Sequence, residues 1–181
     1  SWDLKEGLTG QRSVPCEPGD SVVLAGVPRS TPTFSCRRKD GTVAAIDART
    51  GGDLWRTVLD AKLSAGVGSD GRYTAVVSRG NELIAPDGSK EVWRQKLGAL
   101  TLTAPLVAGA RVFVLSADRS VSAFDASTGR KLWQQQRTGE ALVLGRSGLA
   151  MAVGDTLVVG LGGRLVGLQS TTGKVRWETQ V

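Results

Sequence analysis

One pattern, Asp-x-x-x-Gly-x-x-x-Trp, returns along this chain at an interval that few architectures can use. Asp47, Gly51 and Trp55 set the spacing, Asp125, Gly129 and Trp133 repeat it, and Gln169, Gly173 and Trp177 repeat it again with Gln in the Asp position. A weaker copy ends at Trp93, where Ala85 takes the Asp position and Gly88 comes one residue early. Self-similarity at a period of about 40 residues marks a chain of stacked supersecondary units, none of which can bury its apolar face alone.

Counting from each Trp subdivides the unit. Fourteen positions before it lie Gly41, Arg79, Arg119 and Gly163, each in a turn-like cluster that reads as the hairpin into a third strand. Gly19, Gly71 and Gly109 are expected in turns between first and second strands, and Thr74-Ala75-Val76-Val77, Val112-Phe113-Val114-Leu115 and Leu157-Val158-Val159 read as second strands. No segment keeps a 3.6-residue apolar period and Gly interrupts them all, which argues against helices. Four short strands and one Trp per unit predict an all-β β-propeller of four-stranded antiparallel blades. About four blades are expected in a single domain, at 10–59, 60–97, 98–138 and 139–181, with Trp2 closing a strand of a blade before the first.

Two intervals break the rule. Gly19 and Gly41 are 22 residues apart where the other units take 8 to 10, which predicts about a dozen extra residues in the first blade around Ala25 to Thr33. Trp133 and Gly154 are 21 residues apart where the earlier units take 16 or 17, so the connection into the fourth blade is longer by about five residues and contains Leu142-Val143-Leu144-Gly145-Arg146. In an extended segment Leu142 and Leu144 point the same way. Such a pair either tucks into the protein or, with an Arg beside it, anchors an interface from a loop that the scaffold can spare.

Composition removes several function classes. The 181 residues, 40% hydrophobic and 22% charged, suit one folded unit. The formal charge of +6 could signal nucleic acid, but the basic residues are scattered, Arg37-Arg38-Lys39 being the densest group, and one Tyr and three Phe offer little for base stacking. No nucleic-acid partner is expected. With no histidine in the chain, His-dependent triads and the usual zinc and haem sites are excluded. Cys16 and Cys36 are the only cysteines and are too far apart for a Cys-x-x-Cys motif, leaving a disulfide or two free buried thiols. The N-terminus, Ser1-Trp2-Asp3-Leu4-Lys5, has no basic region followed by an apolar one, so a leader is expected to have been removed or left out.

The recurring residues read as structural. One Trp per blade at a fixed place points to packing between neighbouring blades for Trp55, Trp93, Trp133 and Trp177. Asp47 and Asp125, four residues before Gly51 and Gly129, are placed to accept hydrogen bonds from turn amides, with Gly173 completing the third copy of the turn. No catalytic residue and no metal ligand is expected. Gly160-Leu161-Gly162-Gly163 lacks the third glycine of a dinucleotide fingerprint, since Leu165 stands there, and no helix follows.

The stretch Ala123 to Trp133 resembles the blade motif of quinoprotein-type propellers, which are shared by quinone-dependent dehydrogenases and non-enzymatic relatives. The dehydrogenases resembled are much longer and use a calcium site with acidic and amide ligands and usually a vicinal disulfide. This chain has no adjacent cysteines and Asn81 as its only Asn. From about Leu97 to Val181, and less strongly from Gly41, it is instead similar to the BamB family of lipoproteins of the outer-membrane β-barrel assembly machinery. Leu142 to Arg146 followed by Ala152-Val153-Gly154-Asp155-Thr156-Leu157-Val158-Val159-Gly160 carries the likeness.

That resemblance implies half of an eight-bladed ring, no enzymatic activity and no cofactor, at the periplasmic side of the outer membrane of a Gram-negative bacterium. It also implies binding to the POTRA domains of BamA, company with other assembly-machinery subunits, and a lipid-bearing cysteine upstream of Ser1 as the only membrane attachment. The family's Leu-x-Leu-Arg binding loop falls on Leu142 and Leu144, with Gly145 in the Arg position and Arg146 one residue late. The alternative is a quinone-dependent dehydrogenase-like or sugar-binding propeller. An oxidising periplasm further implies a Cys16–Cys36 disulfide. A half-ring with unprotected flanks implies a homodimer that closes it.

Overall fold

The computed structural model describes residues 21–25, 33–37, 40–47, 49–88, 90–101, 103–138, 147–152 and 155–181, and its elements are all strands. Sixteen strands form four antiparallel four-stranded sheets, each in sequence order. The first sheet holds β1 (Ser21–Ala25), β2 (Thr33–Arg37), β3 (Thr42–Asp47) and β4 (Asp53–Val58), the second β5 (Gly68–Ser69), β6 (Thr74–Val77), β7 (Glu82–Asp87) and β8 (Lys90–Lys96). The third holds β9 (Leu106–Ala108), β10 (Arg111–Leu115), β11 (Ser120–Asp125) and β12 (Lys131–Gln136), the fourth β13 (Ser147–Ala152), β14 (Thr156–Leu161), β15 (Arg164–Gln169) and β16 (Val175–Gln180). Meandering four-stranded sheets stacked face to face are propeller blades.

Strand alternation explains the stacking. Along β10, Val112 and Val114 pack with β6 and β7 of the second sheet, while Phe113 and Leu115 pack with Leu157, Val159 and Leu161 of the fourth. Successive side chains point to opposite faces, so a strand buried on both sides must be apolar at every position, as RVFVL is after its first residue. Three clusters thus lie between consecutive sheets, the remaining one joining Val43 of the first sheet to Val76 and Ile84 of the second.

One sequence expectation is corrected. Ser21–Ala25 and Thr33–Arg37 pair with each other as first and second strands, Ser21 opposite Arg37 and Ala25 opposite Thr33. The seven residues between them join β1 to β2 where the other sheets use two to four, so the excess falls between Ala25 and Thr33 as expected but amounts to three to five residues rather than a dozen. The count failed because it took Gly19, which precedes β1 and lies outside the described residues, for the first turn. A glycine ruler misses a turn whose glycine is displaced.

The weak second copy of the repeat also has a structural reason. In the first, third and fourth sheets the turn between the last two strands closes in the same way: Gly51, Gly129 and Gly173 donate their amides to the carbonyls of Asp47, Asp125 and Gln169, each at 2.8 Å. These glycines sit at φ of 67°, 75° and 74°, a left-handed conformation that suits a residue without Cβ. In the second sheet Asp87 pairs directly with Lys90, so the hairpin is shorter and Ala85 needs no carboxylate.

Candidate partner-binding site

Each propeller sheet has two ends. One carries the Asp–Gly turns, and those at Gly129 and Gly173 are occupied by the scaffold itself. The Trp93 indole nitrogen donates to the Ala126 carbonyl at 2.9 Å, and that of Trp133 to the Ser170 carbonyl at 2.8 Å, each reaching into the turn of the next sheet. A Cβ on Gly129 would stand 2.6 Å from the Trp93 ring, and one on Gly173 2.5 Å from that of Trp133. Trp55 packs half-buried on the cluster between the first two sheets. Trp177, on the last strand, is 42% exposed and lies over its own cross-strand partner Gly167.

The acidic members of the turns are committed to backbone. Asp47 accepts from the Arg49 amide at 2.8 Å. Asp125 accepts from the Ser127 hydroxyl at 2.6 Å and the Ser127 and Thr128 amides at 2.9 and 3.0 Å. The Ser127 hydroxyl, ahead of those amides, holds the Asp125 carboxyl below its ordinary value. A depressed folded pKa contributes stability that is present above the unfolded value of about 3.9 and is lost as pH falls through the folded one. Because Asp125 is only half-buried the contribution is modest, and we expect an Asp125→Asn variant to show a flatter loss of stability below about pH 4 in acid unfolding.

Asn81, the only amide of its kind in the chain, is likewise committed. Its Nδ2 donates to the carbonyls of Leu97 and Ala99 at 3.1 and 2.7 Å, and its Oδ1 accepts from the Thr101 amide at 3.2 Å.

The opposite end carries the hairpins between second and third strands and the connections from sheet to sheet. Eight residues separate Trp55 from Leu63, where the second sheet first pairs, and eight separate Trp93 from Thr101 in the third; fourteen separate Trp133 from Ser147 in the fourth. The excess falls between Arg137 and Ser147. Leu142, Leu144 and Arg146 lie in this connection and outside the described residues; Cys16, before the first sheet, and the side chain of Cys36, in β2, are likewise not described.

Both roots of the connection are described. At its start the Arg137 amide donates to the Arg119 carbonyl at 3.4 Å, and the Arg137 guanidinium pairs with Glu178 on β16. Arg164 pairs with the other oxygen of Glu178 at 3.0 Å. The Arg164 hydrogen bond, followed by the charge of Arg137, holds the Glu178 carboxyl below its ordinary value despite the opposing effect of desolvation. At its end Ser147 pairs with Leu161, whose carbonyl accepts from Arg119 Nη2 at 3.0 Å. Sequence reasoning singled out none of Arg137, Glu178 and Arg164, and treated Arg119 only as a turn residue. Comparing each position across the repeats would have found Arg119 and Arg137.

Residues 39–181 match the family model described as outer membrane protein assembly factor BamB. Relatives of the same description are 41% identical over 145 residues in Bordetella pertussis, covering 78% of this chain and 37% of the relative, and 36% identical over 185 residues in Burkholderia pseudomallei, covering 99% and 45%. The chain thus spans less than half the length of these curated relatives. The crystal structure of BamB from Moraxella catarrhalis superposes with a TM-score of 0.72 at 21% identity, covering 89% of this chain and 51% of that one, which shows a shared propeller fold. On the matched residues and these identities, the chain belongs to the BamB family of outer membrane protein assembly factors.

Proposed function

We propose that this chain is part of a non-enzymatic scaffold of the β-barrel assembly machinery, a half-ring with one blade per sheet, standing at the periplasmic side of the outer membrane of a Gram-negative bacterium and binding BamA through its POTRA domains. The contact is made by Leu142 and Leu144, with Arg146 beside them. The observation that carries this reading is the lengthened connection between Arg137 and Ser147 in a chain of this family. A propeller that only needed to link its third and fourth sheets could do so with the eight-residue spacing it uses twice elsewhere. A longer loop on a rigid β-scaffold is where a partner contact is placed at little cost to the core.

In an extended segment two leucines at this spacing would share one face and supply apolar anchors, with a neighbouring Arg to supply directional hydrogen bonds. Replacing Leu142 and Leu144 together by Ala is expected to weaken binding to the isolated POTRA region of BamA by more than about 2 kcal/mol while leaving the unfolding midpoint unchanged. Titration calorimetry with parent and variant chains measures the first, denaturant unfolding the second. A double variant that binds as the parent does would exclude the loop as the contact.

A further inference from the structure

Two positions at the roots of the long connection break the repeat in the same place. The residue leaving the last strand of each sheet donates its amide to the hairpin before the third strand: Leu59 to Gly41, Leu97 to Asn81, Arg137 to Arg119 and Val181 to Gly163. Leu59 and Leu97 are buried core side chains, yet Arg137 brings a charge to that position. On the accepting side, Gly41, Asn81 and Gly163 are residue types that adopt left-handed backbone readily. Arg119 holds φ of 66° with a long side chain.

Arg at a position suited to Gly, and Arg at one suited to Leu, both point into the fourth sheet. Arg119 joins the two roots: its carbonyl takes the Arg137 amide at the start, and its guanidinium takes the carbonyl of Leu161, the strand partner of Ser147, at the end. Glu178 receives Arg137 on one oxygen and Arg164 on the other. Among the described residues, three buried side-chain polar atoms have no hydrogen-bond partner, and two of them, Arg119 Nε and Ser147 Oγ, sit at these same roots. An unused donor buried beside a loop root is costly unless an acceptor arrives, which marks the roots as built for a further contact rather than for sheet packing alone.

We propose that Arg119, together with the Arg137–Glu178 pair, is a positioning clasp that fixes both roots of the connection between the third and fourth sheets and so sets how Leu142 and Leu144 are presented to the partner. This rests on the binding reading given above. The clasp acts through the loop, and its members need not touch the partner. Its charged groups tie the connection to the outer strand of the fourth sheet, whereas Leu59 and Leu97 pack into the apolar clusters shared with the sheet that follows.

The repeat itself supplies the variants. Arg119→Gly installs the residue that the first and fourth sheets carry at this turn, and Arg137→Leu installs the residue of the first two sheets at the strand exit, so neither is expected to disturb folding. The full chain carrying both is expected to unfold at the parent midpoint but to bind the POTRA region of BamA on the order of tenfold more weakly, with faster hydrogen exchange at amides 138–146. Arg137→Lys, which keeps a cation for Glu178, is expected to bind far closer to the parent than Arg137→Leu does. Should Leu142→Ala/Leu144→Ala lose affinity while Arg119→Gly/Arg137→Leu keeps it, the clasp is overturned and the contact stands. Should the leucine variant keep parental affinity, the contact itself fails and the clasp with it. If the paired substitution destabilises the fold, Arg137→Leu against Arg137→Lys alone decides: equal affinities overturn the proposal.

Discussion

Replacing Trp93 by Ala is expected to destabilise the chain by about 3–5 kcal/mol, the range for removing a large buried aromatic side chain. Trp93 is 9% exposed and belongs to the cluster between the second and third sheets, beside Leu83, Val107 and Phe124. Its ring covers Gly129 and its indole N–H is bonded to the Ala126 carbonyl. Truncation therefore opens a cavity between two sheets and leaves a buried carbonyl without its donor, two penalties that add. Equilibrium unfolding in urea measures the loss. Trp177→Ala provides the contrast within the same chain, because a side chain 42% exposed over its own sheet has much less to lose.

The second large effect lies on the other side of that contact. Gly129→Ala is expected to cost about 2–4 kcal/mol, from roughly 1 kcal/mol for an L-residue in left-handed backbone and 1–3 kcal/mol for overpacking. Gly129 has φ of 75°, and an added Cβ would lie 2.6 Å from two ring atoms of Trp93. An indole wedged against a backbone cannot give way as the end of a flexible side chain does. Gly88→Ala separates the two terms: its φ is 60°, but a Cβ there meets nothing within 4 Å, so it should lose only the conformational part. Equal losses at Gly88 and Gly129 would show that the Trp93 contact contributes nothing. Both variants are read by the same urea unfolding as Trp93→Ala.

Together these substitutions show why the repeat has the form it has. Gly is required twice at position i+4, once for a left-handed turn and once for the face it gives the preceding Trp. In the second and third sheets Trp at i+8 both covers the turn glycine of the next sheet and reaches its turn carbonyl, which takes a broad ring with a hydrogen-bond donor.

How much of this was legible without coordinates depended on whether an interaction is local or recurrent. The Asp–Gly turn is local, and its donors lie within three residues of Asp125. The sheets are recurrent, so period and apolar alternation sufficed to place the third and fourth strands of every unit and the second strands of the last three. The first sheet resisted because Gly19 was mistaken for a turn that lies elsewhere. Spacing between Trp133 and the next unit exposed the long connection, since an insertion changes a count whatever its conformation.

What sequence alone determined, then, was the blade, its turn, and the place where the chain departs from its own rule. What only the tertiary structure decided was which units meet. That Trp93 seats on Gly129 of the next sheet, that Arg119 reaches Leu161, and that Glu178 takes Arg137 are contacts between residues 36 to 42 positions apart. Such pairs leave no periodic trace. Each is fixed by how neighbouring sheets stack to bury their shared apolar faces, and only that stacking brings a positive charge at Arg137 to the negative charge at Glu178.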